Sequence, residues 1–488
     1  MSALHLEIDN RQIRIHGMDR ATMRELDELC SYKVEGYWFD PRFKRRVWDG
    51  KEHLLKFHRK HGYRVPTGML TDILDALDAE GTSYTVDADN RTAPPELALD
   101  WNPEIDPRDY QIRAVEAVCH GARGLTPARI EARGSGIIKL PIRSGKTLTA
   151  AYLARELATT AIFLVPSQLL LRQTIATLSG ALGRSIGQIG EGVWEPGDVT
   201  VASLQTLTAN RGKTRKASPE HYRELLGRFG LVVFDECHHL TGDQWRKVMQ
   251  DFDARYRVGL SATAYLDHAK AIERGVIWLK ACAGPIVIDV STSELIERGY
   301  LVRPHIRLWR IEADSVDKKE KWSKTMQERC IYGNAKRNAK VVELAVEHVR
   351  AGRRTLVVSN RKEQVELLRE AIANEGIDVE PVTGEHMGDD REAVIQRFKE
   401  GSLLCLVGTV FGEGVDIPVI DAVVNAEGGK DPKATMQRLR NLTPAPGKEK
   451  AWVDDFIDLT STYHADHSRE RLKLYRSEPA FRIEVMAA

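Results

Sequence analysis

The stretch that most constrains the fold is residues 136–149, GIIKLPIRSGKTLT. An apolar run of Ile137, Ile138 and Leu140 favours a buried strand, which ends at Pro141 before a helix-forming segment. A strand, a tight loop and a helix start direct backbone N–H groups into one concavity, where the helix dipole adds positive charge. The sequence therefore predicts a polyphosphate-binding site at this loop.

The loop also supplies side chains suited to a nucleotide and its metal ion. Lys146 is placed to reach the β- and γ-phosphates of ATP, and Thr147 to hold Mg²⁺. Ser144 and Gly145 complete the predicted nucleotide contacts. The strict pattern G-x-x-x-x-G-K-S/T requires glycine where this chain has Leu140. The alternative is an ordinary helix that happens to start with Gly-Lys-Thr and binds no nucleotide. Motifs elsewhere in the chain distinguish the two interpretations.

Length and composition set broad limits on what the chain can be. At 488 residues, about three domains are expected. The 71 basic and 70 acidic residues leave a net charge of +1, so any affinity for nucleic acid must come from local patches. The six cysteines are scattered singly, which indicates neither disulfides nor a zinc site. No apolar run approaches the ~18 residues of a membrane span, and we expect a cytoplasmic protein without membrane contact.

One basic patch lies between Lys33 and Arg64. It holds ten basic residues against four acidic ones, with seven aromatic residues interleaved. Clustered cations displace the counterions of a phosphate backbone, and aromatic rings stack on exposed bases. A small aromatic core with a solvated basic face is the alternative. The DNA contacts predicted here are Arg45, Arg46, Trp48 and Lys51.

After the loop, strands and helices alternate, which favours a parallel sheet with helices on both faces. In LVVFDECHHL, four apolar residues predict a buried strand, and Asp235 and Glu236 stand at its carboxyl end, where such sheets bind ligands. Asp235 is placed to hold Mg²⁺ through water, and Glu236 to accept a proton from an attacking water. The alternative is that Asp235 and Glu236 only begin an ordinary polar loop. Upstream of the loop, the amide of Gln111 can donate and accept hydrogen bonds together, which matches the edge of adenine. The alternative is that Gln111 is an ordinary surface residue.

Taken together, these motifs resemble the ordered motifs of superfamily 2 helicases and translocases. The matching positions are Gln111, residues 144–147, Pro166, Gln173 and residues 203–207, 235–238, 261–263 and 408–416. The N-terminal part, with residues 48–50 and 64–70, is similar to the UvsW type of phage helicase, and XPB-like enzymes are the next nearest.

The resemblance implies an α/β fold of two tandem RecA-like domains with parallel sheets, preceded by a small α+β N-terminal domain. ATP and Mg²⁺ would lie in the cleft between the RecA-like domains. The predicted segments are an N-terminal DNA-binding domain (1–87), a linker (88–104), RecA-like domains 1 (105–290) and 2 (291–460), and a C-terminal helical tail (461–488).

The resemblance also implies a function. The chain would be an ATP-dependent DNA helicase or translocase that unwinds or migrates branched DNA and remodels forks or R-loops. We expect a monomer in a bacterial or phage-infected cytoplasm, associated with the nucleoid. Further DNA contacts implied by the resemblance are Pro166, Gln205, Thr206 and Thr409. Gly414 and Asp416 would contact the nucleotide.

One motif departs from the family pattern. The usual Q-R-x-G-R-x-L-R-P is here QRLRNLTP, which lacks one glycine. Gln437 and Arg440 would act in catalysis, and Thr443 replaces the second arginine. Because such arginines contribute about 10³–10⁵ in rate, an ATP-switched DNA-binding clamp with weak or no unwinding is the alternative function. An RNA helicase is a further alternative, and the sequence shows no nuclease carboxylate cluster that would favour a restriction motor.

Overall fold

The computed structural model describes residues 3–120, 134–211, 219–264, 272–312, 324–383, 388–408, 419–439, 442–444, 448 and 450–487. The chain divides into two compact units. The first consists of residues 1–140 and 145–290, and the second of residues 141–144 and 291–488.

The first unit begins with a small α+β module. Its elements are β1 (Leu4–Ile8), β2 (Gln12–His16), α1 (Arg20–Leu29), β3 (Ser31–Lys33), α2 (Pro41–Lys44), β4 (Lys51–His53), β5 (Lys56–His58), β6 (Gly62–Pro66), α3 (Leu70–Ala79) and β7 (Tyr84–Asp89). In β1 and β2 every second side chain is buried, which is the period that a sheet covered on one face requires. The strand order is β5-β6-β2-β1-β7, and β3 and β4 form a separate pair.

The rest of the first unit is a RecA-like domain. Its elements are α4 (Asp109–His120), β8 (Ser135–Lys139), α5 (Lys146–Glu156), β9 (Ala161–Val165), α6 (Gln168–Leu182), β10 (Gly187–Gly190), β11 (Val193–Glu195), β12 (Val199–Ser203), α7 (Leu204–Arg211), α8 (Pro219–Leu226), β13 (Leu231–Phe234), α9 (Asp243–Asp251), β14 (Tyr256–Ser261), α10 (Ile272–Ala283) and β15 (Ile286–Asp289). The strand order is β11-β10-β12-β9-β13-β14-β8-β15, and every pair except β10 and β11 is parallel.

This topology places the predicted motifs along one edge of the sheet. The four residues of β13 and the five of β9 are all buried, as expected for strands covered on both faces. Because the strands are parallel, the loops that follow β12, β9, β13, β14 and β8 emerge at the same edge. The predicted phosphate loop follows β8, and the acidic pair follows β13.

The N-terminal module packs directly against the RecA-like domain. Trp278 and Ala281 of α10 belong to the same apolar cluster as the core of the module. Gly68 approaches α10 so closely that an added Cβ would lie 2.1 Å from the carbonyl oxygen of Lys280. The module is therefore fixed to the domain through a continuous apolar core.

A buried arginine joins the same two parts. Arg257 of β14 donates from Nε to the carbonyl oxygen of Asn10 over 3.1 Å and from Nη1 to that of Met249 over 2.8 Å. Its Nη2 donates to the carbonyl oxygen of Phe252. Burial lowers the pKa of Arg257 to about 10, so the guanidinium stays charged at neutral pH. Three carbonyl dipoles compensate that charge.

The segment predicted as a linker, 88–104, packs on the RecA-like domain. Glu96 forms an antiparallel bridge with Thr159. The hydroxyl of Thr159 donates to the carbonyl oxygen of Pro95 over 2.7 Å, and the ring of Trp101 contacts that of Tyr152. Its irregular sequence gave no sign of these partners, because all of them are distant in the chain.

The second unit contains the second RecA-like domain. Its elements are α11 (Thr292–Glu297), β16 (Pro304–Glu312), α12 (Lys324–Gln327), a π-helical turn (Glu328–Tyr332), α13 (Ala335–Arg350), β17 (Thr355–Val358), α14 (Lys362–Asn374), β18 (Val379–Val382), α15 (Gly388–Glu400), β19 (Cys405–Gly408), β20 (Ala422–Asn425), α16 (Pro432–Gln437), β21 (Ala451–Leu459), α17 (Thr462–Arg476) and β22 (Arg482–Met486). The sheet is parallel, with order β18-β19-β17-β20-β21-β16-β22.

The tail predicted as helical also contains a strand. α17 packs on β21, and β22 then pairs with β16 and closes one edge of the sheet. Helix propensity in this segment predicted α17 but not β22, because the pairing of β22 depends on a strand far away in sequence.

β21 carries three buried carboxylates, each paired with an arginine. Asp454 accepts from Arg307 and from His348, Asp455 accepts from Arg471, and Asp458 accepts from Arg337. Although burial alone raises it, the hydrogen bonds of His348 and Arg307 hold the pKa of Asp454 below its usual range. Pairing of this kind is what makes buried charges tolerable.

The structure agrees with the predicted fold class of tandem α/β domains and an α+β N-terminal module. No helix of the described residues is long and apolar enough to cross a membrane. All six cysteines are free thiols, and five of them are buried.

Candidate functional site

The loop predicted to bind phosphate joins the end of β8 to the start of α5. Gly145 has a left-handed backbone, with a φ of +75°, and an added Cβ would lie 2.8 Å from Nε2 of Gln111. Arg143 is also left-handed, with a φ of +69°, although it is not glycine. The hydroxyl of buried Ser144 donates to the carbonyl oxygen of Pro141 over 2.7 Å. Glycine at 145 and the hydroxyl at 144 therefore help to fix the shape of the loop.

Lys146 and Glu236 meet beside this loop. Nζ of Lys146 lies 3.8 Å from Oε1 of Glu236, and both side chains are largely buried, at 11% and 16% exposure. Lys146 is the first residue of α5, whose N-terminus has no side-chain cap. Uncapped N–H groups and an ammonium group at one helix start suit the negative charge of a phosphate.

The acidic pair follows β13 directly. Asp235 is buried, and its Oδ1 accepts from the backbone N–H of Glu236 over 3.0 Å. Glu236 has a φ of +52°, a conformation that non-glycine residues seldom adopt and that recurs at functional sites. Burial raises the pKa of the Cys237 thiol far above its usual value, so the thiol stays protonated within the core.

His238 connects the acidic pair to the motif that ends β14. Its Nδ1 lies 3.4 Å from Oε2 of Glu236 and 3.3 Å from the hydroxyl oxygen of Ser261. That oxygen also accepts from the N–H of Thr263 over 3.0 Å, while the carbonyl oxygen of Ser261 accepts from the N–H of Leu140. Ser261 therefore contacts both the acidic motif and the residue that leads into the phosphate loop.

The residues present fit Mg²⁺ bound together with a nucleotide. Thr147 offers a hydroxyl and Asp235 a carboxylate, which are oxygen ligands of the kind that Mg²⁺ prefers. No cluster of three or more acidic, histidine or cysteine side chains suited to a metal ion occurs among the described residues. Mg²⁺ usually keeps several waters and binds through one or two carboxylates and the substrate's phosphates, which matches this small donor set.

Gln111, predicted to contact adenine, is buried against the phosphate loop. Its Oε1 accepts from the N–H of Arg108 over 2.9 Å, and its Nε2 donates to the carbonyl oxygen of Gly145 over 3.4 Å. The side chain thus links the start of α4 to the loop. Contact with adenine remains a prediction.

The predicted DNA contacts of this domain lie at the same sheet edge. Pro166 follows β9, and Gln205 and Thr206 lie in the first turn of α7, which begins directly after β12. The amide of Gln205 donates to the carbonyl oxygen of Pro166 and accepts from the hydroxyl of Ser203 over 2.8 Å. The structure therefore brings together two segments that lie about forty positions apart in the sequence.

The second unit holds part of the altered motif. Gln437 is the last residue of α16, and Arg438 donates to the buried carboxylate of Glu427. The other oxygen of Glu427 is buried and has no hydrogen-bond partner among the described residues. The sequence gave no signal for Glu427, which belongs to no motif. The predicted residues Arg440, Thr409, Gly414 and Asp416 lie outside the described residues.

The predicted N-terminal contacts divide into two kinds. Arg45 and Arg46 are exposed. Trp48 is half-buried beneath the guanidinium of Arg42 and donates from Nε1 to the carbonyl oxygen of Lys51 over 2.7 Å. The ammonium of Lys51 pairs with Glu28. Trp48 and Lys51 thus have structural partners within the module, while the two arginines face solvent.

Three family models match consecutive parts of the chain. Residues 7–88 match the N-terminal domain of the DNA helicase UvsW, residues 104–266 match the res subunit of type III restriction enzymes, and residues 336–440 match the helicase conserved C-terminal domain. Each of the three parts of the chain, the N-terminal module and the two RecA-like domains, is therefore matched by one family model.

Relatives with known names agree with these matches. The ATP-dependent DNA helicase uvsW of Enterobacteria phage T4 is 26% identical over 473 residues, which cover 90% of this chain and 88% of that protein. The DNA 3'-5' translocase XPB2 of Sulfurisphaera tokodaii is 26% identical over 401 residues, 75% of this chain and 85% of that protein.

Solved structures add support for the fold alone. A fragment of a putative HsdR subunit of a type I restriction enzyme from Vibrio vulnificus YJ016 has a TM-score of 0.54 and 18% identity, and the match covers 79% of this chain and 70% of that one. The resemblance drawn from the motifs is confirmed by the relatives and the family matches. In its N-terminal module and in both RecA-like domains, this chain is thus similar to the UvsW type of superfamily 2 helicase.

Proposed function

We propose that this protein is an ATP-dependent DNA helicase or translocase that acts on branched DNA. The observation that supports this most is the meeting of Lys146 and Glu236, 3.8 Å apart, at the carboxyl edge of a parallel sheet. The basic N-terminal module, packed on the same domain, supplies a second surface for DNA. The named relatives are a DNA helicase and a DNA translocase, and they favour this function over the clamp.

The side chains of the site divide the chemistry among them. Lys146 would bind the β- and γ-phosphates of ATP, and Thr147 and Asp235 would hold Mg²⁺. Glu236 would accept the proton of the attacking water. Bound ATP with Mg²⁺ would supply the free energy for movement on DNA.

The pairing of Lys146 with Glu236 suggests how phosphate binding prepares the base. An ammonium that moves to a phosphate gives up its attraction to the carboxylate, and Glu236 is then available to a water molecule. His238, 3.4 Å from the second oxygen of Glu236, would keep the carboxylate oriented meanwhile. Substrate binding and activation of the base would thus be one event.

The remaining contacts stay part of the proposal. Gln437 and Arg440 would stabilise the charge that develops on the γ-phosphate, and Gly414 and Asp416 would contact the nucleotide. The DNA contacts would be Arg45, Arg46, Trp48, Lys51, Pro166, Gln205, Thr206 and Thr409. A monomer in the cytoplasm of a bacterial or phage-infected cell is part of the same proposal.

ATP hydrolysis measured with single-stranded, duplex and forked DNA tests the function directly. We expect little hydrolysis without DNA, strong stimulation by DNA, and ATP-dependent strand separation or branch movement on the fork. Stimulation without any strand separation or branch movement would favour the clamp. Equal or greater stimulation by RNA would favour an RNA helicase.

A further inference from the structure

The loop between β3 and β4 is anchored at its base and projects apolar side chains into solvent. β3 and β4 pair with each other, and the N–H of Val34 donates to the carbonyl oxygen of Gly50 over 2.9 Å, which closes the loop. We call residues 34–50 the aromatic loop. Trp38 is 51% exposed, Phe39 72% and Val47 73%. Half of the large apolar side chains exposed among the described residues lie on this one loop.

Interlocked rings hold the aromatic loop in shape. The ring of Tyr37 makes edge contacts with Trp38 at 5.2 Å and with Phe43 at 4.7 Å. Gly50 gives Tyr37 room, because a Cβ there would lie 2.5 Å from its ring. Exposed apolar groups held this rigidly lose little conformational entropy when they bind a partner. The exposure is therefore a built feature of the loop.

A surface cavity of about 610 Å³ lies beside these rings. Its wall combines aromatic and basic side chains, and its lining residues are Trp38, Phe43, Lys44, Arg46, Val47, Trp48 and Asp49. The volume lies within the range of small-molecule sites, about 300–1,000 Å³. One flat base, with its phosphate against the basic wall, would fit.

The charges of the aromatic loop favour an anionic partner. The carboxylate of Asp40 pairs with Arg42, and that of Asp49 with His53. Lys44, Arg45 and Arg46 form no ion pair with any described residue. Asp40 and Asp49 are thus engaged within the module, and the third acidic residue of the loop, Glu35, is exposed. Three cations beside the exposed rings are left to a phosphate backbone, so the loop keeps an excess of positive charge.

Arg46 adds a conformational argument. Its φ of +57° lies in the left-handed region that glycine favours at the end of a helix. The N–H of Arg46 donates to Phe43 and that of Val47 to Arg42, which is the hydrogen-bond pattern of a helix end that usually carries glycine. A strained backbone at a residue other than glycine is a reason to look for a function of its side chain.

The base of the aromatic loop is tied to the ATP-binding domain. The hydroxyl of Tyr32 in β3 donates to the carboxylate of Glu52 and accepts from Nε1 of Trp278 over 3.1 Å. The guanidinium of Arg246 lies 3.7 Å above the ring of Trp278. Arg246 belongs to α9, soon after the acidic pair at the nucleotide site. A partner on the loop would thus be held rigidly relative to that domain.

From these observations we propose that the tip formed by Trp38, Phe39 and Val47 stacks on unpaired bases at a branch in DNA, while Lys44, Arg45 and Arg46 hold the adjoining phosphates. A fully paired duplex keeps its bases stacked on one another, so it offers phosphates and base edges but no free base face on which a ring could stack. A branch offers an unpaired base and duplex phosphates side by side, as the loop offers rings and cations. The inference rests on the proposed function and names the part of the DNA that the module recognises.

The test compares binding to forked and to fully paired DNA in the absence of nucleotide. The fork carries 2-aminopurine at its first unpaired position, where stacking on a ring changes the fluorescence. The variant Trp38→Ala/Phe39→Ala removes both rings, and Leu367→Ala, on an exposed apolar residue of α14, is the matched control. Because all three side chains are exposed, the variants should fold, and circular dichroism checks this.

We expect the double variant to lose about tenfold or more in affinity for the fork and to lose the fluorescence change, since one stacked base contributes ~1–3 kcal/mol. Binding to paired duplex should fall far less, and Leu367→Ala should match the unaltered protein. Unchanged fork affinity, or equal losses on fork and duplex, would overturn the proposal. So would a variant that alters self-association but not DNA binding.

Failure of the proposed function gives a different result. A protein without DNA-stimulated ATP hydrolysis would refute the helicase, whereas the binding comparison needs no hydrolysis and would still decide the role of the tip. If the double variant were misfolded, Arg46→Gly provides a second test, because glycine suits the backbone at that position. It should keep the melting temperature or raise it and should weaken binding to the fork.

Discussion

The ammonium of Lys146 lies 3.8 Å from the carboxylate of Glu236, although ninety positions separate the two residues in the sequence. β8 and β13 carry them to the same edge of the parallel sheet, with β14 between the two strands. His238 then links Glu236 to Ser261, at the end of that intervening strand. Three motifs thus converge because the topology of the sheet brings their loops together.

Gly145→Ala should abolish or greatly weaken ATP binding. The new Cβ would lie 2.8 Å from Nε2 of Gln111, so the end of that side chain must give up its hydrogen bond to the carbonyl oxygen of Gly145, and alanine disfavours the φ of +75° at this position. Gly183→Ala is the matched control, since Gly183 is also left-handed but has no atom within 4 Å of an added Cβ. Both should lose about 1–2 kcal/mol of stability, but only Gly145→Ala should lose the nucleotide. Equal nucleotide affinity in the two variants, by calorimetry, would refute the packing argument.

Arg257→Ala should destabilise the contact between the N-terminal module and the RecA-like domain. The variant leaves the carbonyl oxygens of Asn10, Met249 and Phe252 without their donor, and one unsatisfied buried group costs about 1–3 kcal/mol. Arg11→Ala is the control, because the ion pair of Arg11 with Asp253 is long and about half exposed. Its loss should cost less than about 1 kcal/mol. Denaturant unfolding compares the two, and similar losses would contradict the account.

Arg46→Gly should stabilise the fold while it weakens binding to forked DNA. Glycine removes the strain of a left-handed arginine, a gain of about 1 kcal/mol. Arg45→Gly is the control, because Arg45 has a φ of −84° and relieves no strain. It should lose DNA affinity without any gain in stability. A thermal melt measures the stability of both variants, and a titration measures their binding to forked DNA. If Arg46→Gly were less stable than the unaltered protein, the left-handed backbone assigned to Arg46 would be contradicted.

His53 should make the base of the aromatic loop sensitive to pH. Burial lowers its pKa, but the hydrogen bonds and charges of Asp27 and Asp49 outweigh burial and raise the pKa above the usual value. A raised folded pKa means that this contribution is fully present below about pH 6.5 and is lost as the pH rises through the folded pKa. An NMR titration of the ring should show the raised value, and Asp27→Asn should lower it. A titration at the usual value would contradict the pairing.

The sequence allowed much of the site to be predicted, because its motifs are local. The residues 144–147, 235–236 and 261–263 lie where a parallel sheet requires them, at the ends of β8, β13 and β14. What escaped prediction depends on contacts between distant residues. Pairing of β22 with β16, packing of the segment 88–104, and the burial of Arg257 against Asn10 leave no local pattern.

The basic patch shows the same limit at the level of single side chains. Composition predicted Trp48 and Lys51 as DNA contacts, which stays a prediction, but it did not reveal the partner that each has within the module. The exposed rings of the patch are Trp38, Phe39 and Phe57. Which aromatic residue of a mixed segment turns inward is decided by the pairing of β3 with β4, and the order of residues alone does not reveal it.

The most direct test of the central claim is single-turnover hydrolysis of ATP on forked DNA by the variant Glu236→Gln. An amide cannot accept the proton of the attacking water, so we predict a chemical step slowed by about 10²–10⁴ with ATP affinity kept within a few fold. Lys146→Ala, measured beside it, should lose nucleotide binding and DNA-stimulated hydrolysis but retain DNA binding. Hydrolysis by Glu236→Gln at the unaltered rate would contradict the account, because it would show that Glu236 is not the base for ATP hydrolysis.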